Sequence, residues 1–209
     1  MNFIFDVGNV LVDYKPLSYL ESLFHDEVLV RKMHETVFLS REWVSMDLGL
    51  LTHREACEVF CRREPALSAA IKRTMENLPA LFTPISETIG LLPIIKEKGH
   101  CMFYLSNIHK ETRDFLIGEY EFFDLFDGGL FSCDVLEIKP SPEIYRRLLN
   151  KYALLPGDCL FFDDSTENVA AANSEGLNGI LFTGAGCVQH CLSPARNSPG
   201  ILQHININP

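Results

Sequence analysis

Four short apolar runs along the chain predict buried β-strands. Each run is apolar at successive positions, which is typical of strands that helices cover on both faces. The runs are Phe3–Phe5, Cys101–Leu105, Cys159–Phe162 and Gly179–Phe182. Such strands belong in a parallel sheet, so the connections between them should contain helices.

Helical patterns fill the connections in the second half of the chain. Ser86–Lys98 has apolar residues at helical spacing and should kink at Pro93. Ser141 and Pro142 predict the N-cap and the first residue of another helix, and Glu167–Glu175 is a third. This alternation of strands and helices predicts a doubly wound α/β sheet with right-handed crossovers, a Rossmann-like core.

Residues 15–82 break this alternation because five helical patterns follow one another there. The patterns are Pro16–Phe24, Asp26–Phe38, Ser40–Asp47, Thr52–Arg63 and Ala66–Asn77. A helical block between the first strand and the rest indicates an inserted cap, with hinges near Pro16 and Pro84. We therefore predict an α/β core of residues 1–14 and 83–209 and an all-helical cap of residues 15–82.

The composition excludes several classes of function. Apolar residues make up 47 % of the 209 residues, enough for a sizeable core, and the formal net charge of -10 offers no basic surface for nucleic acid. No apolar stretch is long enough to span a membrane, and the N-terminus lacks the pattern of a signal peptide. We expect a monomer or homodimer whose partner is a small molecule, neither nucleic acid nor membrane.

The cysteines point to a reducing compartment. There are seven, an odd number, and they are scattered, which predicts reduced thiols and a cytoplasmic protein. Cys187, His190 and Cys191 suggest zinc, but a structural site needs four ligands and no second pair has suitable spacing. From Gly184 to Pro209 the periodicity fades, which indicates a loop-like tail.

Polar residues end three of the predicted strands. Asp6 follows the first strand, Ser106 ends the second, and Asp163 and Asp164 end the third. Ligands of an open α/β sheet bind at the carboxyl ends of the strands, near the point where strand order reverses. We therefore expect these residues to converge, joined by Lys139, which stands in a loop just before a helix.

The acidic residues of this set suit magnesium. Mg²⁺ prefers oxygen ligands, usually a few carboxylates with water and substrate phosphate. Asp6 and Asp164 can supply carboxylates, Gly8 its backbone carbonyl, and Asp163 a contact through water. A bound cation would also offset the repulsion between a carboxylate and an anionic phosphate.

The remaining residues suit phosphoryl transfer. Ser106 and the neighbouring backbone N–H groups can bind phosphate oxygens, and we add Asn9 and Asn107 to the phosphate-binding set. Lys139 can neutralise developing charge and keep Asp6 ionised. Asp6 would attack phosphorus to form an aspartyl-phosphate, which water then hydrolyses.

The order and context of these residues resemble the haloacid dehalogenase-like hydrolase superfamily. Its four motifs correspond to FIFDVGNV with Asp6, YLSN with Ser106, KPSPEIY with Lys139, and FFDDSTENVAAANSEG with Asp163 and Asp164. The resemblance implies a magnesium-dependent phosphatase with a helical cap after the first motif. Within that branch, the DxGN start is most similar to bacterial sugar-1-phosphate phosphatases.

One position departs from the family pattern. Most phosphatases of this family have a second aspartate two residues after the nucleophile, acting as general acid and base, and this chain has Gly8 there. The substrate could have a good leaving group, such as a sugar 1-phosphate or an acyl phosphate, or Asp13 or Asp47 could replace the missing acid. Otherwise the protein could be a ligand-binding protein of low activity. The enzymatic alternative is a metal-independent 2-haloacid dehalogenase.

The cap should determine specificity. Trp43, the only tryptophan, could stack on a sugar ring, with Glu42 or Asp47 receiving sugar hydroxyls, or it could be a core residue of the cap. His109 and Lys110 follow the second strand and could face the phosphate entrance, or form the solvated first turn of a helix.

Overall fold

A five-stranded parallel sheet forms the centre of the computed structural model, which describes residues 1–193. The strands are β1 (Asn2–Phe5), β2 (Cys101–Ser106), β3 (Gly128–Phe131), β4 (Cys159–Asp163) and β5 (Asn178–Leu181). Their spatial order is β3-β2-β1-β4-β5. The chain thus builds outward from β1 to one side and then returns to the other side, which confirms the doubly wound α/β fold.

The strands at the centre are buried on both faces. Phe3 and Phe5 point to one side, where Phe162 of β4 stacks on them with ring centroids 5.9 and 5.2 Å apart. Ile4 and Phe161 point to the other side and pack in a second apolar cluster. Each fully buried side chain of this size stabilises the fold by about 1.5–3 kcal/mol, so the pairing of β1 with β4 is firmly held.

Strand β3 was not predicted from the sequence. It holds only four residues, and two of them are Gly128 and Gly129, which weaken any strand pattern. The structure explains Gly129: a Cβ atom there would lie 2.2 Å from the ring of Tyr104 on β2. The hydroxyl of Tyr152 also bonds the N–H and C=O of Gly129, each at 2.9 Å. Glycine stands here because β3 lies so close to the Tyr104 and Tyr152 side chains, and the strand therefore lacks the apolar residues that would have predicted it.

Within residues 1–193, seven α-helices connect or flank the strands of the core. They are α6 (Ser86–Ile89), α7 (Leu92–Glu97), α8 (Lys110–Glu119), α9 (Ser132–Val135), α10 (Pro142–Lys151), α11 (Thr166–Ser174) and α12 (Ala185–Leu192). The predicted single helix with a kink at Pro93 is two helices, since the chain breaks at Gly90 and Leu91. Pro93 lies in the first turn of α7, where its missing N–H costs no hydrogen bond.

Two further expectations about the core need correction. Pro142 does begin α10, but the Ser141 hydroxyl donates to Glu137 at 3.1 Å and does not cap the helix backbone. The tail is not loop-like throughout, because Ala185–Leu192 forms α12 and buries Val188. The rest of the predicted tail, from residue 194 on, lies outside the described residues.

The expected all-helical cap lies between β1 and β2. Its helices are α1 (Pro16–Leu23), α2 (Glu27–Met33), α3 (Arg41–Asp47), α4 (His53–Arg63) and α5 (Ser68–Glu76). A π-helical turn, His34–Phe38, extends α2, and Ser40 caps α3 by accepting from the N–H of Trp43 at 3.1 Å. No helix within residues 1–193 is long and apolar enough to cross a membrane.

The two connections between cap and core run side by side. Asp13 donates its N–H to Thr83 at 2.7 Å, and Ile85 donates to Leu11 at 2.9 Å. This pairing brings the cap over the end of the sheet where β1 stops. Of the prolines predicted as hinges, Pro84 lies within this pairing, opposite Val12, and Pro16 begins α1. The division at residues 15 and 82 stays a prediction.

Candidate active site

The carboxyl ends of β1, β2 and β4 bring the predicted polar residues together. Asp6 directly follows β1, Ser106 is the last residue of β2, and Asp163 is the last residue of β4. Strand order reverses between β1 and β4, so the site lies at the topological switch point. All three side chains are buried, and Asp163 is 0 % exposed.

Lys139 connects the first and last of these strands. Its Nζ atom lies 2.8 Å from Asp6 Oδ1 and 2.7 Å from Asp163 Oδ2, and the residue is only 4 % exposed. Asn107 holds the lysine in place, because its amide donates to the Lys139 carbonyl at 2.9 Å and accepts from the Lys139 N–H at 2.8 Å. The amide of Asn107 therefore positions Lys139, and its contact with phosphate stays a prediction.

Burial and the short distances between Asp6, Lys139 and Asp163 shift the pKa values of Asp6 and Lys139. Burial raises the pKa of Asp6 to about 7, with Lys139 acting against the rise and Asp163 adding to it. Burial alone would lower the pKa of Lys139, but Asp6 and Asp163 outweigh it and raise the pKa. An anionic Asp6 thus depends on nearby positive charge, which Lys139 supplies only in part because it is shared.

Three carboxylates fit a hard divalent cation. Asp6, Asp163 and Asp164 each offer an oxygen, and these oxygens lie within 4.8 Å of one another. Both oxygens of Asp163 already accept hydrogen bonds, from Lys139, the Ser165 N–H and the Asn168 amide. Asp164 is exposed, and the hydrogen bond from the Asn9 amide goes to its Oδ2 atom, so Oδ1 can face a cation. The donor set therefore suits Mg²⁺, with Asp163 better placed to act through water.

Asn9 links the nucleophile loop to the acidic pair. Its backbone has φ 55°, a left-handed conformation that asparagine tolerates better than most residues. Its amide donates to Asp164 Oδ2 at 2.8 Å, and its Oδ1 accepts from the N–H of Tyr14 at 3.0 Å. Asn9 therefore orients Asp164, and its predicted contact with phosphate stays a prediction.

A cavity of about 190 Å³ opens between this cluster and the cap. Asp6, Gly8, Ser106, Lys139 and Asp164 line one side of it. The other wall, which we call the cap wall, includes Trp43, Asp47 and Phe82 from the cap together with the core residues Val12, Tyr14, Ile108 and His109. Apolar and aromatic side chains predominate on it. The core and the cap thus share one site.

Residues 1–176 match the family model of haloacid dehalogenase-like hydrolases. The chain belongs to this family. The fold and the class of enzyme expected from the sequence, a hydrolase of this family, are therefore confirmed.

Proteins similar to this hydrolase include phosphatases. Sesquiterpene phosphatase astK of Aspergillus oryzae is 25 % identical over 180 residues, 86 % of this chain and 88 % of that protein. The phosphorylated carbohydrates phosphatase of Thermotoga maritima is 26 % identical over 181 residues, 85 % of this chain and 82 % of that protein.

A solved structure of the same family shares the fold. It is a Bacteroides thetaiotaomicron enzyme in complex with magnesium and inorganic phosphate, with a TM-score of 0.66 and 19 % identity. The similarity covers 84 % of this chain and 90 % of that chain. The architecture of this hydrolase therefore occurs in a protein crystallised with both ions.

The cap wall of this hydrolase contains an acid paired with histidines. Asp47 Oδ1 lies 3.4 Å from His109 Nε2, and His109 Nδ1 lies 2.8 Å from His53 Nε2. Burial raises the pKa of Asp47 to about 8, although Lys139 lowers it, and burial moves the pKa of His109 well below its usual range. His53 and the Asn168 contact to Asp163 were not foreseen, since each partner is distant in sequence or on another element.

The position of Trp43 is compatible with both interpretations of the sequence, a core residue of the cap and a ring that contacts the substrate. It is 6 % exposed and packs on Phe38 and His109 with ring centroids 4.6 and 4.2 Å apart, as a core residue of the cap does. It also forms part of the cavity wall. A ring in this position can contact a substrate without leaving its packing.

Three other predicted candidates lie elsewhere. Glu42 is buried in ion pairs with Arg63 and Arg41 and does not line the cavity, so of the two acids expected to receive sugar hydroxyls only Asp47 lines it. Asp13 pairs with Lys15 at the hinge and does not line the cavity. Lys110 begins α8 and is exposed, which agrees with the solvated-turn alternative.

Proposed function

We propose that this hydrolase is a Mg²⁺-dependent phosphatase that hydrolyses a small phosphorylated metabolite through an aspartyl-phosphate on Asp6. One observation carries the proposal: a buried carboxylate after β1 shares an ammonium group with a second acid, beside a third that suits a cation. The phosphatase names of the curated relatives support it.

Each residue of the core wall has a part in this reaction. An Asp6 oxygen attacks phosphorus, the bond to the leaving oxygen breaks, and an acyl phosphate forms on Asp6. Lys139 neutralises charge on the transferring group while remaining bonded to Asp6 and Asp163. Ser106, buried at the end of β2, donates its hydroxyl to a phosphate oxygen.

The cation would be held by the same loop ends. Asp6, Asp164 and the Gly8 carbonyl would be its protein ligands, with Asp163 contributing through water. When bound, Mg²⁺ offsets the repulsion between the Asp6 carboxylate and the anionic phosphate. Asn9, whose amide donates to Asp164 Oδ2, would keep this ligand in place.

The side chains that line the cavity limit which organic groups the substrate can carry. Rings of Tyr14, Trp43 and Phe82 line it, so they suit an apolar chain or the face of a sugar ring. Relatives are named for a sesquiterpene phosphate and for phosphorylated carbohydrates, which fit these two possibilities. A screen containing both sugar 1-phosphates and isoprenyl monophosphates separates them.

The basic test is hydrolysis of p-nitrophenyl phosphate by the purified protein. We expect turnover with Mg²⁺, its loss in chelator, and its recovery when Mg²⁺ is added back. Beryllium trifluoride with Mg²⁺ should form an adduct on Asp6. A silent phosphometabolite screen and no adduct would favour the ligand-binding alternative, and metal-independent turnover of 2-chloropropionate would favour the dehalogenase.

The expected setting is the cytoplasm. Thiols are free at Cys57, Cys61, Cys101, Cys133 and Cys159. Free thiols are usual in a reducing compartment. The choice between monomer and homodimer stays a prediction, to be measured by sedimentation.

A further inference from the structure

The phosphatase reaction lacks a proton donor at its usual place. A leaving alkoxide needs a proton, and losing a positioned acid typically costs roughly 10²–10⁴ in rate. Gly8 has no side chain to supply one, although there is room, since a Cβ atom there would lie 3.6 Å from Cβ of Tyr14, an ordinary contact. A substrate with a poor leaving group therefore needs a proton donor from another residue of the same cavity.

Asp47 is the acid on the opposite wall. It ends α3 and lines the cavity together with Asp6 and Gly8, with its side chain 16 % exposed. Its backbone is fixed, because its carbonyl accepts from the Ser132 hydroxyl at 2.6 Å. The other candidate, Asp13, faces Lys15 and Thr83 at the hinge. Of the acids considered as substitutes, only Asp47 meets the cavity.

We propose that Asp47, from the cap, is the general acid and base that replaces the acid missing at Gly8. This assignment rests on the proposed phosphatase function. In the first step, Asp6 attacks phosphorus, the bond from phosphorus to the leaving oxygen breaks, and the Asp47 proton moves to that oxygen. In the second, the Asp47 carboxylate takes a proton from water as the water oxygen attacks phosphorus. The bond from phosphorus to the Asp6 oxygen breaks, which releases inorganic phosphate and restores the Asp6 carboxylate and the protonated Asp47.

The surroundings of Asp47 favour its protonated form before the reaction. Burial raises its pKa to about 8, and Lys139 across the cavity lowers it. The other titratable groups that face it are His109, Tyr14 and Cys133. Burial keeps His109 neutral, so no full positive charge from the cap wall draws the proton off Asp47.

His109 is a positioning residue in this arrangement. Its Nε2 atom lies 3.4 Å from Asp47 Oδ1, and its Nδ1 atom lies within bonding distance of His53 and of the Thr112 hydroxyl. Trp43 packs against the ring at a centroid distance of 4.2 Å. These contacts fix the ring beside the Asp47 carboxyl.

The test is a series of substituted phenyl phosphates whose leaving phenols differ in pKa. Single-turnover rates of phenol release are measured for the wild type, Asp47→Asn and the matched control Asp13→Asn. The wild type and the control should depend weakly on the leaving group. Asp47→Asn should release p-nitrophenol within tenfold of the wild-type rate but slow roughly 10²-fold or more with the poorest leaving group.

A rescue arm separates chemistry from folding. Gly8→Asp added to Asp47→Asn should restore the weak dependence on leaving group, because it places an acid at the position that has room for one. An equal loss on all phenyl phosphates, or no loss on any, would overturn the assignment of Asp47. If the wild type hydrolyses none and Asp6 takes up no beryllium trifluoride, the phosphatase proposal itself fails, and this one fails with it.

Discussion

The two walls of the cavity are built in different ways. On the core wall, charged groups contact one another, and Lys139 lies within 2.8 Å of two buried carboxylates. On the cap wall, aromatic rings predominate, and the one carboxylate, Asp47, has a histidine at 3.4 Å as its polar neighbour. The core wall is a fixed network of charge, whereas the cap wall is an apolar surface with one acid.

Because of this difference, substitutions on the core wall should be tolerated less well than substitutions on the cap wall. Removing one member of a buried charge network leaves another charge unpaired, which costs both stability and activity. Changing an apolar residue on the cap wall alters packing by a methylene or two and shifts substrate choice. We therefore expect effects to decrease from the core wall to the cap wall.

The largest effect should follow from Asp6→Asn. An amide cannot act as the nucleophile, so p-nitrophenyl phosphate turnover should fall roughly 10⁴-fold or more. The fold should survive, because Lys139 keeps its ion pair with Asp163. Asp124→Asn, an exposed acid ahead of β3, is the control and should retain wild-type turnover. More than a few per cent residual activity in Asp6→Asn would refute a covalent aspartyl-phosphate.

Lys139→Met tests whether the core wall is a single charge network. Asp6 and Asp163 would lose their shared cation, and the free energy of unfolding should drop by about 3–5 kcal/mol at neutral pH in chelator. The loss should shrink as the pH falls through about 7, the pKa of Asp6, because a protonated Asp6 needs no cation. Urea unfolding at several pH values measures this, and a loss that ignores pH would mean that packing, not charge, is responsible.

A matching measurement on the cap wall uses Asp47→Asn. Burial raises the pKa of Asp47 from its usual 3.8 to about 8 in the fold. The unfolded chain ionises first, so the wild type loses stability as the pH rises from about 4 to 8, and the variant lacks this loss. Asp47→Asn should therefore gain roughly 1–3 kcal/mol on the wild type across that window. If the free energy of unfolding depended on pH equally in both proteins, the Asp47 carboxyl would be solvated and its pKa would not be raised by burial.

The core wall was far more visible in the sequence than the cap wall. Parallel strands end at one edge, so Asp6, Ser106 and Asp163 could be predicted to converge from their places after apolar runs. Lys139 followed from its place before a proline and a helix start. What could not be predicted is how Lys139 and Asp163 are held, since Asn107 bonds the Lys139 backbone and Asn168 bonds the Asp163 carboxylate across separate elements.

The features that the sequence pattern did not predict depend on packing between separate elements. Strand β3 escaped because Gly129 makes room for Tyr104 and leaves no apolar signal. Glu42 seemed free to bind sugar, but Arg63, from the next helix, pairs with it at 3.0 Å. His53 meets His109 across 56 positions of sequence, a contact that no local spacing encodes.

The smallest effect should come from Trp43→Phe, which trims the cap wall without touching charge. Phenylalanine keeps the contacts to Phe38 and His109 but presents less ring to the cavity. We expect KM to rise about threefold to tenfold for the best substrate of the screen while kcat changes less than twofold, because the ring contacts the substrate and its transition state equally. Val44→Ala, an exposed neighbour on α3, should leave both constants unchanged. A fall in kcat with unchanged KM would instead mean that Trp43 acts by positioning His109 and Asp47.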